Sequence, residues 1–227
     1  MTRRAQTKGK CNFCGKEMTS AGMARHLSFC PQRQKAIHDA DRKSRKTEKL
    51  MHLRVRDAWD GDYWLHLEMR GSAPLDDLDS YLRTIWLECC EHLSAFFAGG
   101  RYAEEIPFEE LAGSVFGKGI ELTHIYDFGT ESQTLIQPVG MRDGKPLTEH
   151  PIFLMARNNP PEMICGDCDE PASLWCFECA MEYDGLGAVC EKHAKSHPCA
   201  EYAELIPIPN SPRLGLCGYD GPAEPPY

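Results

Sequence analysis

The chain holds 227 residues, with 12 cysteines and a net charge of −9. That length suits one fair-sized domain with small satellites, and no run of eighteen apolar residues occurs to span a membrane as a helix. The start, MTRRAQTKGKC, is basic with no apolar stretch behind it, so the expectation is no secretory signal and a cytoplasmic protein whose thiols stay reduced and hold metal.

In chain order, the first 49 residues carry 13 Lys or Arg against 4 acids, and the remainder carries 12 against 30. A basic arm on an acidic body either meets polyanions or folds back against its own acidic domain. Within the arm, Cys11, Cys14, His26 and Cys30 read C-x2-C-x11-H-x3-C. The CxxC supplies two thiolates, and a helix starting at Ser20 presents His26 and then Cys30 four residues on, which is a zinc-finger pattern. Twenty residues cannot bury an adequate core, so metal binding, worth on the order of 10–16 kcal/mol, supplies the folding energy. The start of that helix offers Ser20, Ala21, Gly22 and Ala24 with Arg25, a poor set for reading bases. DNA or RNA contact is therefore expected through phosphates, from Arg25, Arg33, Lys35, Arg42, Lys43, Arg45, Lys46 and Lys49, with weak sequence preference.

Residues 32–49 read as a basic helix or linker. Met51, Leu53 and Val55 alternate with polar residues, and Tyr63, Leu65, Leu67 and Met69 do the same after an Asp60-Gly61 turn, which predicts a hairpin. Leu75, Leu78, Leu82, Ile85, Cys89, Leu93 and Phe96 recur at helical spacing, which predicts one long amphipathic helix ended by Gly99 and Gly100. Cys89 and Cys90, adjacent on such a helix, point about 100° apart and are expected to pack, not chelate. A short helix over 108–116, strands over 120–128, 134–139 and 152–156, and a linker at 158–161 follow. Pro138 marks an edge or a bulge.

The run DYWLHLEMRGSAPLDDLDSYLRTIWLECCEHLSAFF, with LTHIYDFG further on, resembles the plasmid pRiA4b Orf-three-like family, passenger proteins of mobile elements. The resemblance covers about residues 50–157 and implies an α+β fold. The residues that carry it are Asp79, Leu82, Trp86, Tyr126, Asp127, Phe128 and Gly129. Many members continue the last motif with an acid, a Trp and a His, where this chain has Thr130, Glu131 and Ser132.

From Cys165 the pattern is C-x2-C-x7-C-x2-C-x10-C-x2-H-x3-H-x-C. Its eight candidates are Cys165, Cys168, Cys176, Cys179, Cys190, His193, His197 and Cys199, enough to close two four-coordinate zinc sites. An interleaved pairing joins Cys165 and Cys168 with Cys190 and His193, and resembles a B-box-type module. Cys176 and Cys179 then join His197 and Cys199, with Cys217 as a substitute. A consecutive pairing puts the first four cysteines on one ion, and disulfides are the remaining alternative. Residues 205–212 read as extended, and 218–227 as a loose tail.

The expected architecture is thus α+β: a small antiparallel or mixed sheet packed on a long helix, between an N-terminal finger and a C-terminal two-zinc module. The segments are 1–31, 32–49, 50–160 and 161–227, with three zinc ions in all. No catalytic constellation emerges, since Gly113 to Gly119 is one residue short of a phosphate loop and DFG at 127–129 lacks the other kinase motifs. The expected function is non-enzymatic, an adaptor or nucleic-acid-associated factor possessing no membrane segment. The alternatives are a nucleic-acid-processing enzyme, accessory to a mobile element, with a site around His124 and Asp127, and a purely protein-binding module.

Overall fold

The computed structural model describes residues 6–43, 47–182, 187–201 and 203–227, with backbone alone for Lys43 and Ala200. The N-terminal elements are β1 (Lys8–Cys11), β2 (Glu17–Thr19), α1 (Ser20–Phe29) and α2 (Pro31–Lys43). The central elements are β3 (Glu48–Asp57), β4 (Trp64–Arg70), α3 (Leu75–Leu82), β5 (Ser94–Ala98), β6 (Glu104–Ile106), α4 (Ala112–Val115), β7 (Leu122–Tyr126), β8 (Ser132–Gly144) and β9 (Ile152–Asn158). The C-terminal elements are β10 (Leu174–Trp175), α5 (Phe177–Glu182), β11 (Ala188–Val189), α6 (Glu191–Ala194) and β12 (Ile206–Pro207).

The fold is α+β, as the alternating patterns imply, but the sheet is not small. Nine antiparallel strands run in the order β2-β1-β9-β4-β3-β8-β7-β5-β6. The expected hairpin is there, with Met51 opposite Met69 and Val55 opposite Leu65. Leu75, Leu78 and Leu82 of α3 pack with Leu53, Leu65 and Leu67 from the sheet, and all six are fully buried. At about 1.5–3 kcal/mol for each such side chain, this layer is the main stabilising mass of the molecule.

The long helix is where expectation and structure part. α3 gives way to a π turn over Arg83–Leu87, closed by a bond from the Glu88 N–H to the Arg83 carbonyl at 2.8 Å. Glu88 is extended (φ −67°, ψ 115°), and its carboxylate accepts bonds from Arg83 at 2.5 Å and from the Tyr126 hydroxyl at 2.9 Å. That anchorage turns the chain out of the helix and toward β7. Ser94–Ala98 then pairs with β7 as a strand, placing Phe96 in the main core and Ala95 and Phe97 on the other face with Ile125. Leu93, expected on the helix stripe, is 78% exposed.

Pro138 sits in a central strand at a bulge, where the register against β3 shifts between His52 and Leu53. Asp143 and Gly144 end β8 and pair with Lys49 and Glu48. The expected loose tail is packed: Tyr219 and Ala223 are buried, and the Tyr227 ring stacks on His150 at 4.0 Å. A separate three-stranded sheet, β11-β10-β12, frames the C-terminal Cys/His segment.

Candidate metal centres

The N-terminal candidates lie where a hairpin meets a helix. Cys11 ends β1, Cys14 lies in the turn before Gly15 (φ 72°), His26 is on α1 and Cys30 closes that helix. The Phe13 and Cys14 backbone N–H groups point at the Cys11 sulfur and that of Lys16 at Cys14, the arrangement a CxxC loop adopts around thiolates. Cys14 Sγ lies 3.2 Å from His26 Nε2, and the ligand atoms of all four residues fall within 4.8 Å of one another.

The finger is not a free-standing lobe. β1 pairs with β9 as well as β2, setting Gly9 opposite Asn158 and Cys11 opposite Ala156. At Gly9 a Cβ would lie 2.0 Å from the Arg157 carbonyl oxygen, so only glycine permits the approach. Met23 and Leu27, on the inner face of α1, pack against Trp64, Met155 and Ala156 of the sheet. The start of α1 is pinned too, since His66 Nε2–H donates to the Ser20 carbonyl at 3.0 Å. With Nε2 donating, His66 Nδ1 accepts from His52 Nε2 at 2.9 Å. Burial holds both imidazoles neutral, moving His52 down to about 3, helped by the charges of His66 and Arg33. His66 moves to about 4, mainly through burial.

In the C-terminal segment the structure gathers the interleaved quartets. Cys165, Cys168, Cys190 and His193 form one group; Cys176, Cys179, His197 and Cys199 form the other, every member of which is buried. Burial works against a Cys165 thiolate, yet N–H groups of Asp167 and Cys190 and hydrogen bonds with the His193 and Cys190 side chains hold it down to about 6.

A tetrahedral zinc with Zn–S near 2.3 Å and Zn–N near 2.0–2.1 Å sets its ligands about 3.8 Å apart sulfur to sulfur and about 3.5 Å apart sulfur to nitrogen. Cys168 and Cys190 stand 3.9 Å apart, and Cys179 and Cys199 stand 3.6 Å apart. His193 Nδ1 is 3.5 Å from Cys165 and 3.4 Å from Cys190, and His197 Nε2 is 3.3 Å from Cys179. Sulfurs so placed are far beyond the disulfide bond length of about 2.0 Å, and none of the cysteines is in a disulfide. The residues fit the ion. Each quartet fills four positions with protein atoms, leaving none for water.

A further quartet was hidden from sequence reasoning: Cys89, Cys90, His92 and Cys217. It exists because the π turn releases Cys89 and Cys90 from helical geometry. No CxxC spacing announces it, and Cys217 lies 127 residues beyond Cys90 in sequence.

The phosphate-binding candidates fare unevenly. Arg25, Lys35, Arg42 and Lys49 are exposed, the Lys43 side chain is outside the description, and Arg45 and Lys46 lie outside the described residues. Arg33 is a correction. Its side chain is buried, bonded to the Leu27 carbonyl at 3.0 Å and to Glu68 at 2.9 Å. Glu68 also takes Arg142 at 2.6 Å, so Arg33 belongs to an internal ion cluster, out of reach of phosphate. The site around His124 and Asp127 dissolves similarly. His124 is fully buried and bonded to Asp79 at 2.7 Å, whereas Asp127 is paired with the buried Arg213 at 2.6 Å.

No protein-family model matches the chain, and no curated protein does. Among solved structures it is similar to a protein of unknown function from Methanosarcina mazei Go1, at 17% identity and a TM-score of 0.40, over 46% of this chain and 66% of that one. The chain thus spans just under two-thirds of the length of that protein. A likeness at this level says nothing of activity. Among the described residues, no helix is long and apolar enough to cross a membrane.

Proposed function

We propose that the chain is a zinc-braced, non-enzymatic binding protein, an adaptor whose metal ions set the shape of two recognition lobes on an α+β platform. The observation that supports this most is the closure of the finger and of both C-terminal quartets by four protein ligands each. Zinc that keeps no open position cannot polarise a substrate or activate water, so its contribution is structural. Thiolate and imidazole sets with tetrahedral spacing favour zinc over harder ions. We read residues 50–157 as a pRiA4b Orf-three-like domain, on the motif residues named above, and this is the basis for placing the protein with mobile elements. Among those residues, Asp79 is hydrogen-bonded to His124 and lies 3.7 Å from Arg83, and Asp127 is paired with Arg213.

The exposed Arg25, Lys35, Arg42 and Lys49 support nucleic-acid contact as a second reading, through phosphates alone. The pinned N-terminus of α1 argues against major-groove readout by that helix.

Metal per chain on the purified protein, followed by chelation with near-ultraviolet dichroism and hydrodynamic size, tests the first reading. At least three zinc ions and a loss of tertiary signal on chelation are expected. Fewer than two ions, or unchanged dichroism after their removal, would overturn it. Random-sequence duplex DNA, titrated at low and near-physiological salt, tests the second: salt-sensitive binding supports it, and none at low salt removes it.

A further inference from the structure

The quartet at Cys89, Cys90, His92 and Cys217 differs from the other three in having no sequence spacing and two exposed members, Cys90 and Cys217. Its distances are nevertheless those of a coordination shell. Cys90 Sγ stands 3.7 Å from both Cys89 Sγ and Cys217 Sγ. His92 Nε2 stands 3.0 Å from Cys90 Sγ and 3.3 Å from Cys217 Sγ. These approach the tetrahedral edges of about 3.8 and about 3.5 Å expected around zinc.

The backbone is bent to make this meeting. Glu91 adopts φ 62°, a left-handed turn costly for a residue with a side chain, and its N–H is held by Glu88 at 2.6 Å. The turn swings His92 back beside Cys90. On the other strand of the contact, Cys217 has φ 49° between Gly215 (φ 83°) and Gly218 (φ 67°). Two separate segments thus hold a non-glycine residue, Glu91 and Cys217, in the left-handed region where these four soft ligands converge.

The surroundings suit a site with three thiolates. The Arg213 guanidinium, fully buried, donates to Cys89 Sγ at 3.4 Å, and the Tyr126 hydroxyl lies 3.7 Å from the same sulfur. Asp127 holds Arg213 in place at 2.6 Å, so that its cation faces the sulfur. Outer partners of this kind orient ligands and offset the charge of a metal–thiolate centre.

We infer that Cys89, Cys90, His92 and Cys217 form a fourth metal site, for a thiophilic divalent ion of the zinc class, which staples the C-terminal tail to the central domain. The tail is worth stapling. Ser211 Oγ–H donates to the Trp86 carbonyl at 2.5 Å, and Gly215 lies against Trp175 of the C-terminal sheet. Asn210 exchanges bonds with Asn158 at 2.8 and 3.0 Å. The metal therefore fixes the strap that seats the two-zinc module on the platform. Because two ligands are exposed, this ion exchanges with solvent faster than the three others.

The inference shares with the proposed function the premise that Cys/His quartets hold metal, so its test separates them. Zinc per chain is measured on the zinc-loaded full-length wild type, Cys217→Ser and Cys90→Ser, after rapid gel filtration into metal-free buffer without chelator. Four ions in the wild type and three in either variant are expected. Cobalt(II) substitution should show thiolate-to-metal absorption reduced by about a quarter in each variant. On the wild type alone, Cys90 and Cys217 should resist alkylation, then react first as chelator is added, ahead of Cys176 and Cys179. Equal metal in wild type and variants, with three or more ions bound, overturns the fourth site and leaves the proposed function standing. Free alkylation of Cys90 and Cys217 in the metal-loaded wild type overturns it too. Fewer than two ions in the wild type overturns both.

Discussion

The N-terminal Cys/His quartet and the two C-terminal quartets offer the same kinds of ligand, but the lobes around them would depend on a metal differently. The finger shares the platform's structure: β1 extends the large sheet, and Met23 and Leu27 share a core with Trp64 and Met155. The two-zinc module has its own short sheet, and its apolar cluster consists largely of ligands, namely Cys176, Cys179 and Cys199 with Val189. One lobe has a shared sheet core to fall back on when metal leaves, and the other has only a few apolar side chains, such as Leu174, Trp175 and Leu205, beside its ligands. Metal dependence is thus set by what else the neighbouring side chains can bury, not by ligand count.

The largest expected effect breaks the C-terminal lobe. Cys179→Ser leaves a three-ligand site in a lobe whose stability is metal binding, of order 10 kcal/mol. Residues 163–207 should become protease-sensitive and lose amide protection while the strands β3, β4 and β8 keep theirs. Cys14→Ser, the matching change in the finger, should lose one zinc yet retain exchange protection in β1, because its bonds to β9 persist. Equal loss of protection in the two variants would erase the comparison.

Next in size is the ion cluster beneath the finger. Glu68→Gln leaves Arg33 and Arg142 without their shared buried carboxylate and should cost about 3–5 kcal/mol, read from chemical denaturation. A smaller effect comes from the histidine seam. In the unfolded chain His52 and His66 protonate near the ordinary 6.5, but in the folded one only at about 3 and about 4. Between those limits the unfolded state binds more protons, so stability is complete above pH 6.5 and falls as pH drops toward 4 and then 3. A His52→Gln, His66→Gln variant should show a shallower fall than the wild type in denaturation midpoints across that window. The smallest effect is expected at the surface: Lys35→Glu and Arg42→Glu should change stability by within about 0.5 kcal/mol. If α2 meets nucleic acid, they weaken low-salt DNA binding.

The legible parts of the molecule were those where chemistry repeats at short range. Met51, Leu53 and Val55 announce a half-buried strand by alternation, and two CxxC pairs with trailing histidines announce metal spacing. Cys89 escaped because periodicity sees positions and not hydrogen bonds. Leu93 and Phe96 sit where a continuing helix would want them, and only the Glu88 contacts to Arg83 and Tyr126 turn the chain away. Arg33 escaped for a related reason. In a run of basic residues nothing local marks the one whose partner, Glu68, lies 35 residues on across the fold. Cys217 and Arg213 are the same lesson at longer range, since their roles depend on groups about 80 to 130 residues away.

The pairing of β1 with β9 has a bearing on how the chain survives in a crowded cell. Without the finger hairpin, β9 would be the sheet's outer margin, a row of unsatisfied amides and carbonyls open to any extended stranger. Strand β1 of that hairpin closes the margin off, with the ten-residue helix α1 packed behind it. Because β1 is held to β9 by backbone bonds and α1 to the sheet by Met23 and Leu27, that margin should stay covered when metal is lost, and zinc starvation should loosen the knuckle without exposing a template for strand-by-strand self-association.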